Sequence, residues 1–170
     1  MLFLYYNCRY MNVDRILELD RRAQEEVGKY PERRFAFDSL AAHTGRPFAA
    51  VFGPRGTGKT VLLRQLRGCA EDSLYISADT LDPGDSIREI VAYFSDAMKI
   101  MNFFIDEIHF AKNYAADLKE IYDFYSVNIW YTSSVSLSLH TSAWDLSRRV
   151  LSFFLYPFSF REYLAFKFDI

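Results

Sequence analysis

Two segments hold residue types at spacings that do chemistry. The first, Gly53-Pro54-Arg55-Gly56-Thr57-Gly58-Lys59-Thr60, fills every fixed position of the phosphate-binding pattern G-x-x-x-x-G-K-[ST]. Glycines let consecutive backbone N–H groups turn inward on an anion, and a helix that follows adds its positive N-terminal end. Lys59 would then reach the β- and γ-phosphates of a nucleoside triphosphate, the Thr60 hydroxyl would hold Mg²⁺, and Val61 closes the binding segment. The second segment, Met101-Asn102-Phe103-Phe104-Ile105-Asp106-Glu107, reads as a buried apolar strand ending in two carboxylates. Such a strand carries its first carboxylate, Asp106, to a Mg²⁺ site, usually through water. Glu107 follows and suits the γ-phosphate side, where a carboxylate orients and deprotonates an attacking water.

The phosphate pattern needs a strand before it and a helix after it. Phe48-Ala49-Ala50-Val51-Phe52 is a short apolar run of the kind buried on both faces. Residues 60–67 carry leucines at helical spacing, and Gly68 is the expected C-terminal cap. Further strands are expected at 73–79, 127–134 and 149–156, with helices at 83–99 and 112–125. In the last of these, Tyr114, Leu118, Ile121 and Tyr125 form a stripe better suited to packing than to base stacking. Alternating strands and helices predict a three-layer α/β fold: a parallel five-stranded sheet, helices on both faces and right-handed crossovers. Ahead of it, Asn12 is a good N-cap for a helix whose Val13, Ile16, Leu17, Ala23 and Val27 share a face up to Gly28, and a second helix spans 33–43. The division is thus an N-terminal helical extension, 1–46, and a core, 47–170. The extension either covers the core or flanks the nucleotide base.

Composition excludes several classes. A chain of 170 residues with 51% hydrophobic content can bury one full core, and 20 basic against 22 acidic side chains produce no global field toward nucleic acid or anionic membrane. Local basic pairs, Arg33-Arg34 and Arg148-Arg149, are left as candidate contacts. Cys8 and Cys69 match no metal-ligand spacing and suit a reducing, cytoplasmic compartment. No apolar run approaches 18 residues, so a membrane-spanning helix is not expected. The apolar segment Met1-Leu2-Phe3-Leu4-Tyr5-Tyr6 reads as a tail, with Met11 an alternative start.

Thr132, Ser133 and Ser134 end the fourth strand, where hydroxyls can meet the γ-phosphate or its attacking water; serines and threonines also simply end strands. The chain resembles the branch of phosphate-loop proteins that uses a catalytic glutamate, and that resemblance implies the strand order 5-1-4-3-2, with a polar sensor at the end of the fourth strand. More closely, residues 48–164 are similar to the AAA-like ATP-binding proteins of bacteria and archaea, related to the archaeal ATPase group. The matching segments are the loop 53–60, Tyr75-Ile76-Ser77-Ala78-Asp79, Phe104-Ile105-Asp106-Glu107-Ile108-His109 and Leu155-Tyr156-Pro157-Phe158-Ser159-Phe160-Arg161-Glu162-Tyr163-Leu164. The last is the most distinctive, because no general nucleotide chemistry demands it.

The resemblance implies an ATPase domain that usually continues into a further C-terminal domain, so a chain ending at Ile170 is expected to be a fragment or a truncated member. Relatives tend to carry Thr-Gly-Ser-Ser where this chain has Thr132-Ser133-Ser134-Val135, which leaves the sensor hydroxyl open among Thr132, Ser133 and Ser134. They also tend to carry Gly-Arg before the fifth strand, where this chain has Arg148-Arg149. Arg149 either neutralises phosphate charge, in cis or across a subunit interface, or forms an ion pair near the sheet edge. The expected activity is Mg²⁺-dependent ATP hydrolysis, with ATP over GTP because no Asn-Lys-x-Asp segment is present. The expected partners are ATP, together with a second copy, a protein partner or the further domain. Two other readings stay open: a nucleotide-dependent switch with little turnover, and a nucleic-acid motor suggested by Asp106-Glu107-Ile108-His109.

Overall fold

The computed structural model of the protein describes residues 11–134, 146 and 148–168. Expectations for Met1 to Tyr6, Cys8, Val135 and Ile170 lie outside those residues. The elements are α1 (Val13–Val27), α2 (Ala36–Ala41), β1 (Phe48–Gly53), α3 (Lys59–Gly68), β2 (Ser73–Ser77), α4 (Ile87–Met98), β3 (Asn102–Asp106), α5 (Tyr114–Phe124), β4 (Asn128–Ser134), β5 (Val150–Phe154) and α6 (Phe160–Phe168). The five strands form one sheet in the order β2-β3-β4-β1-β5, and every pair is parallel. This is the expected order read from the other edge.

Period-two alternation sends neighbouring strand residues to opposite faces, so a sheet covered on both sides needs apolar residues at every position. Phe48, Ala50, Leu74, Ile76, Phe103, Ile105, Ile129 and Tyr131 join Ile90, Val91 and Phe94 of α4 and Leu118 and Ile121 of α5 in one cluster. Ala49, Val51, Tyr75, Phe104 and Trp130 face the other way, against Phe37 and Leu40 of α2 and Leu62, Leu63 and Leu66 of α3. Trp130 stacks on Phe104 at 4.8 Å between ring centroids and donates Nε1–H to the Leu40 carbonyl.

Helix α1 starts as the sequence predicts, with Asn12 Oδ1 accepting the Arg15 N–H at 3.0 Å. It lies along the β2 edge. There the buried Asp20 accepts the Tyr75 N–H at 2.8 Å and two bonds from the Arg67 guanidinium, so a side chain stands in for the missing strand partner. Both leading helices therefore pack into the core clusters, Ile16 in one and Ala23, Phe37 and Leu40 in the other.

Several boundaries differ from the sequence reading. Helix α2 covers only Ala36–Ala41, because Arg34 and the Phe35 N–H are drawn to Glu162, 128 and 127 residues downstream. Gly68 is the last residue of α3 rather than its cap; Cys69 closes the helix with right-handed geometry, and the Cys69 and Ala70 N–H groups bond the Leu66 and Arg67 carbonyls. Helix α4 begins at Ile87, capped by Ser86, and Asp117 of α5 binds both the Ser86 hydroxyl and the Arg88 N–H. Helix α5 begins at Tyr114, after a left-handed Asn113. Asp79 leaves β2 for a 3-10 turn, Ala78–Thr80, and the fifth strand starts after Arg149.

Candidate functional site

The loop between β1 and α3 has the backbone its glycines are needed for. Gly56 and Gly58 sit at φ 82° and 87°, a left-handed region that side chains disfavour, and a Cβ at either would point into open space. Gly58 caps α3, so the positive end of a ten-residue helix opens onto the loop. Gly53 is required for another reason: a Cβ there would lie 2.3 Å from the Leu155 carbonyl oxygen.

Lys59 is buried, and its Nζ donates to the Gly53 and Pro54 carbonyls at 2.9 Å each. The Thr57 hydroxyl also turns back onto the Pro54 carbonyl. A cavity of about 460 Å³ opens in front of the loop, lined by Arg55, Gly56, Gly58, Lys59, Thr60, Asp79, Glu107 and Phe110. Elements far apart in sequence thus converge at the carboxyl ends of β1, β2 and β3, where parallel sheets place ligands.

Asp106 ends β3 and is buried, with both oxygens engaged: the Tyr75 phenol donates to Oδ2 at 2.9 Å and the Thr132 hydroxyl donates to Oδ1. Burial, and then the Asp106 charge, push the Tyr75 pKa upward, which keeps the phenol protonated and a donor. The Arg64 guanidinium lies 5.1 Å from the Tyr75 ring centroid. The next residue, Glu107, has φ 49°, and its N–H donates to Thr132 Oγ1 at 2.8 Å. This left-handed turn swings the Glu107 side chain out of the sheet and into the cavity lining. His109 Nδ1 stands 3.3 Å from Glu107 Oε2 and 3.4 Å from Ser133 Oγ.

Of the expected nucleotide and metal residues, Arg55, Gly56, Gly58, Lys59, Thr60 and Glu107 come together around the cavity, while Gly53, Pro54, Thr57 and Val61 form the loop and first helical turn behind them. Asp106 is not among the lining residues and stands directly before Glu107 at the end of β3. Thr60 and Asp106 are the residues that would hold Mg²⁺, and the loop glycines with the α3 terminus offer the N–H cradle that a triphosphate requires.

Of the three hydroxyls that end β4, that of Thr132 donates to Asp106 Oδ1 and accepts the Glu107 N–H, while Ser133 Oγ stands 3.4 Å from His109 Nδ1 and neither serine is among the residues lining the cavity. Arg149 is placed away from the loop altogether. Its carbonyl accepts the Phe48 N–H at the start of β1, one strand length of about 16 Å from the phosphate loop, and its guanidinium pairs with Asp123 at 3.0 Å. Of the basic pairs read as candidate contacts, Arg34 is buried and bonded inside the protein, and Arg33 lies over the Phe37 ring at 4.2 Å.

Sequence reasoning did not assign Tyr75, Asp79 or Phe110 to the site. Tyr75 stood in an apolar strand with nothing to distinguish its hydroxyl from core packing. Asp79 had a weak signal, as an acidic residue just beyond a strand's carboxyl end.

A protein of Methanocaldococcus jannaschii described only as uncharacterised is 34% identical over 153 residues, an alignment covering 78% of this chain and 32% of the relative. The chain thus spans about a third of that relative's length. The family model described as an AAA domain matches residues 45–164, which take in the phosphate loop, the carboxylate strand and the string at 155–164. With the loop, the paired carboxylates and the parallel sheet agreeing with that match over more than half its length, the chain belongs to the AAA domain family.

Proposed function

We propose that the chain is a Mg²⁺-dependent ATPase domain whose cycle is coupled to a protein partner, a second copy or a further domain, in the cytoplasm. The observation that carries this reading is the meeting of Lys59, Thr60 and Glu107 around one cavity, with Asp106 fixed directly behind. In this reading the loop N–H groups and Lys59 bind the phosphates, Thr60 and Asp106 hold Mg²⁺, and the metal when bound neutralises charge on the β- and γ-oxygens. Glu107 orients a water against the γ-phosphorus and accepts its proton, leaving ADP and inorganic phosphate. His109 stands beside the Glu107 carboxylate, Nδ1 at 3.3 Å from Oε2, which supports a place for it in this site.

One observation favours low intrinsic turnover. Arg149, which the resemblance offered as the phosphate-neutralising arginine, pairs with Asp123 at the far end of the sheet, so an arginine contribution from that residue would have to cross a subunit interface. The chain alone would then be closer to a switch than to a fast enzyme. The test is phosphate release with Mg²⁺-ATP by wild type, Lys59→Ala and Glu107→Gln. Glu107→Gln should retain ATP binding and lose at least about a hundredfold in turnover, the scale of a general base. Lys59→Ala should lose binding. Equal phosphate release by all three proteins would refute the assignment.

A further inference from the structure

The string at 155–164 is unexplained by nucleotide chemistry, yet it is built against the phosphate loop. Leu155 N–H donates to the Phe52 carbonyl at 2.6 Å, and its own carbonyl closes over Gly53. Ser159 and Glu162 form a reciprocal cap at the start of α6: Ser159 Oγ accepts the Glu162 N–H at 3.1 Å, and Glu162 Oε2 accepts the Ser159 N–H at 3.1 Å. So held, the buried Glu162 takes Arg34 in a two-pronged pair, Nε to Oε1 at 2.8 Å and Nη2 to Oε2 at 3.2 Å. Arg34 also donates to backbone, Nη2 to the Tyr156 carbonyl at 2.8 Å and Nη1 to the Thr57 carbonyl at 2.5 Å. Phe158 covers the guanidinium face at 4.4 Å.

The bond to Thr57 matters because of what the next atom does. In a trans peptide the C=O and the following N–H point in opposite directions. Holding the Thr57 carbonyl on the buried Arg34 fixes the plane of the Thr57–Gly58 peptide and so turns the Gly58 N–H away from Arg34, and Gly58 lines the cavity. A freely turning glycine loop would have to be ordered by the ligand, at a cost in affinity; a loop fixed from behind is ordered beforehand. Arg34 also lies upstream of the residues 45–164 that the family match covers.

We propose that Arg34 and Glu162 are positioning residues for the phosphate loop, so that docking of α6 and the affinity for nucleotide phosphate are one linked equilibrium. The proposal rests on the nucleotide reading above. Linkage is reciprocal, so whatever factor the clasp adds to nucleotide affinity, nucleotide must add to the docking of α6.

The test measures ATP and ADP dissociation constants by calorimetry alongside melting temperatures. Arg34→Lys keeps charge but cannot span Glu162, Tyr156 and Thr57 together, and Glu162→Gln removes the charge from the pair; each should weaken ATP and ADP by about tenfold. Ile121→Ala, a cavity in the cluster on the opposite face of the sheet, serves as the stability control and should melt lower with unchanged affinity. In the wild-type protein, hydrogen exchange at residues 160–168 should slow on adding ATP by more than at α5, a readout that does not depend on any variant folding. Wild-type affinity in both clasp variants, equal weakening by Ile121→Ala, or no ATP effect on exchange at 160–168 overturns the proposal. If wild type binds ATP and Lys59→Ala does not, such results sink the clasp alone; if wild type binds neither ATP nor ADP, the nucleotide reading fails and the clasp with it.

Discussion

Replacing Glu162 with glutamine should flatten the acid limb of this protein's stability curve. Burial pushes the Glu162 pKa up, but the Arg34 hydrogen bond and the Ser159 and Phe35 N–H groups outweigh it and hold the carboxyl at about 2, against an ordinary 4.5. The folded state therefore refuses a proton that the unfolded chain accepts between those two values. At ~1.4 kcal/mol per pH unit of difference, the group contributes roughly 3 kcal/mol of stability. That contribution is fully present above pH 4.5 and declines as pH falls toward 2; about 2 kcal/mol of it is gone by pH 3. Glutamine does not titrate and leaves Arg34 buried without its counter-charge, a loss of about 3–5 kcal/mol at neutral pH. Chemical denaturation of both proteins, followed by circular dichroism from pH 6 to pH 3, reads the gap between them. It should narrow by about 2 kcal/mol over that range. A gap that stays constant would show that Glu162 titrates alike in folded and unfolded chains, and the buried pair would lose its electrostatic account.

Gly53→Ala should destabilise by about 3 kcal/mol, since its Cβ would meet a backbone oxygen at 2.3 Å and neither strand β1 nor Leu155 can yield without breaking their mutual bond; a denaturation midpoint at the wild-type value would contradict this. Tyr75→Phe and Thr132→Val each remove one donor from Asp106, and each should cost about 1.5–3 kcal/mol. Because both act on one carboxylate, the double variant should depart from additivity by more than about 0.5 kcal/mol; simple addition would mean that the two donors do not share it.

Much of the fold was legible because its signals are local. A short apolar run bounded by turn residues suits a strand covered on both faces, and Phe48–Gly53, Asn102–Asp106 and Asn128–Ser134 appear where such runs lie. The phosphate loop is legible for the same reason: positive φ at Gly56 and Gly58 is a requirement that residue type alone expresses. Boundaries slipped where a distant partner intervened. Helix α2 loses its first turn to a carboxylate on α6, and no periodicity near Arg34 could announce it.

The site divides along the same line. Residue types and their spacing along the chain determined the phosphate-binding loop, the paired carboxylates of Asp106-Glu107 and the alternation that makes a parallel sheet. Only the tertiary structure decided which hydroxyl meets Asp106: the Thr132 side chain donates to that carboxylate and accepts the Glu107 N–H. The same sheet carried Arg149 to the end opposite the loop, because a residue before a parallel strand and a loop after its neighbour must lie a strand length apart. It also gave the string at 155–164 its role. Ser159 and Glu162 stand at capping-box spacing in the chain, but a cap alone is a local device; folding brings that carboxylate to Arg34, and Arg34 to the back of the phosphate loop, and neither meeting is encoded in a sequence interval.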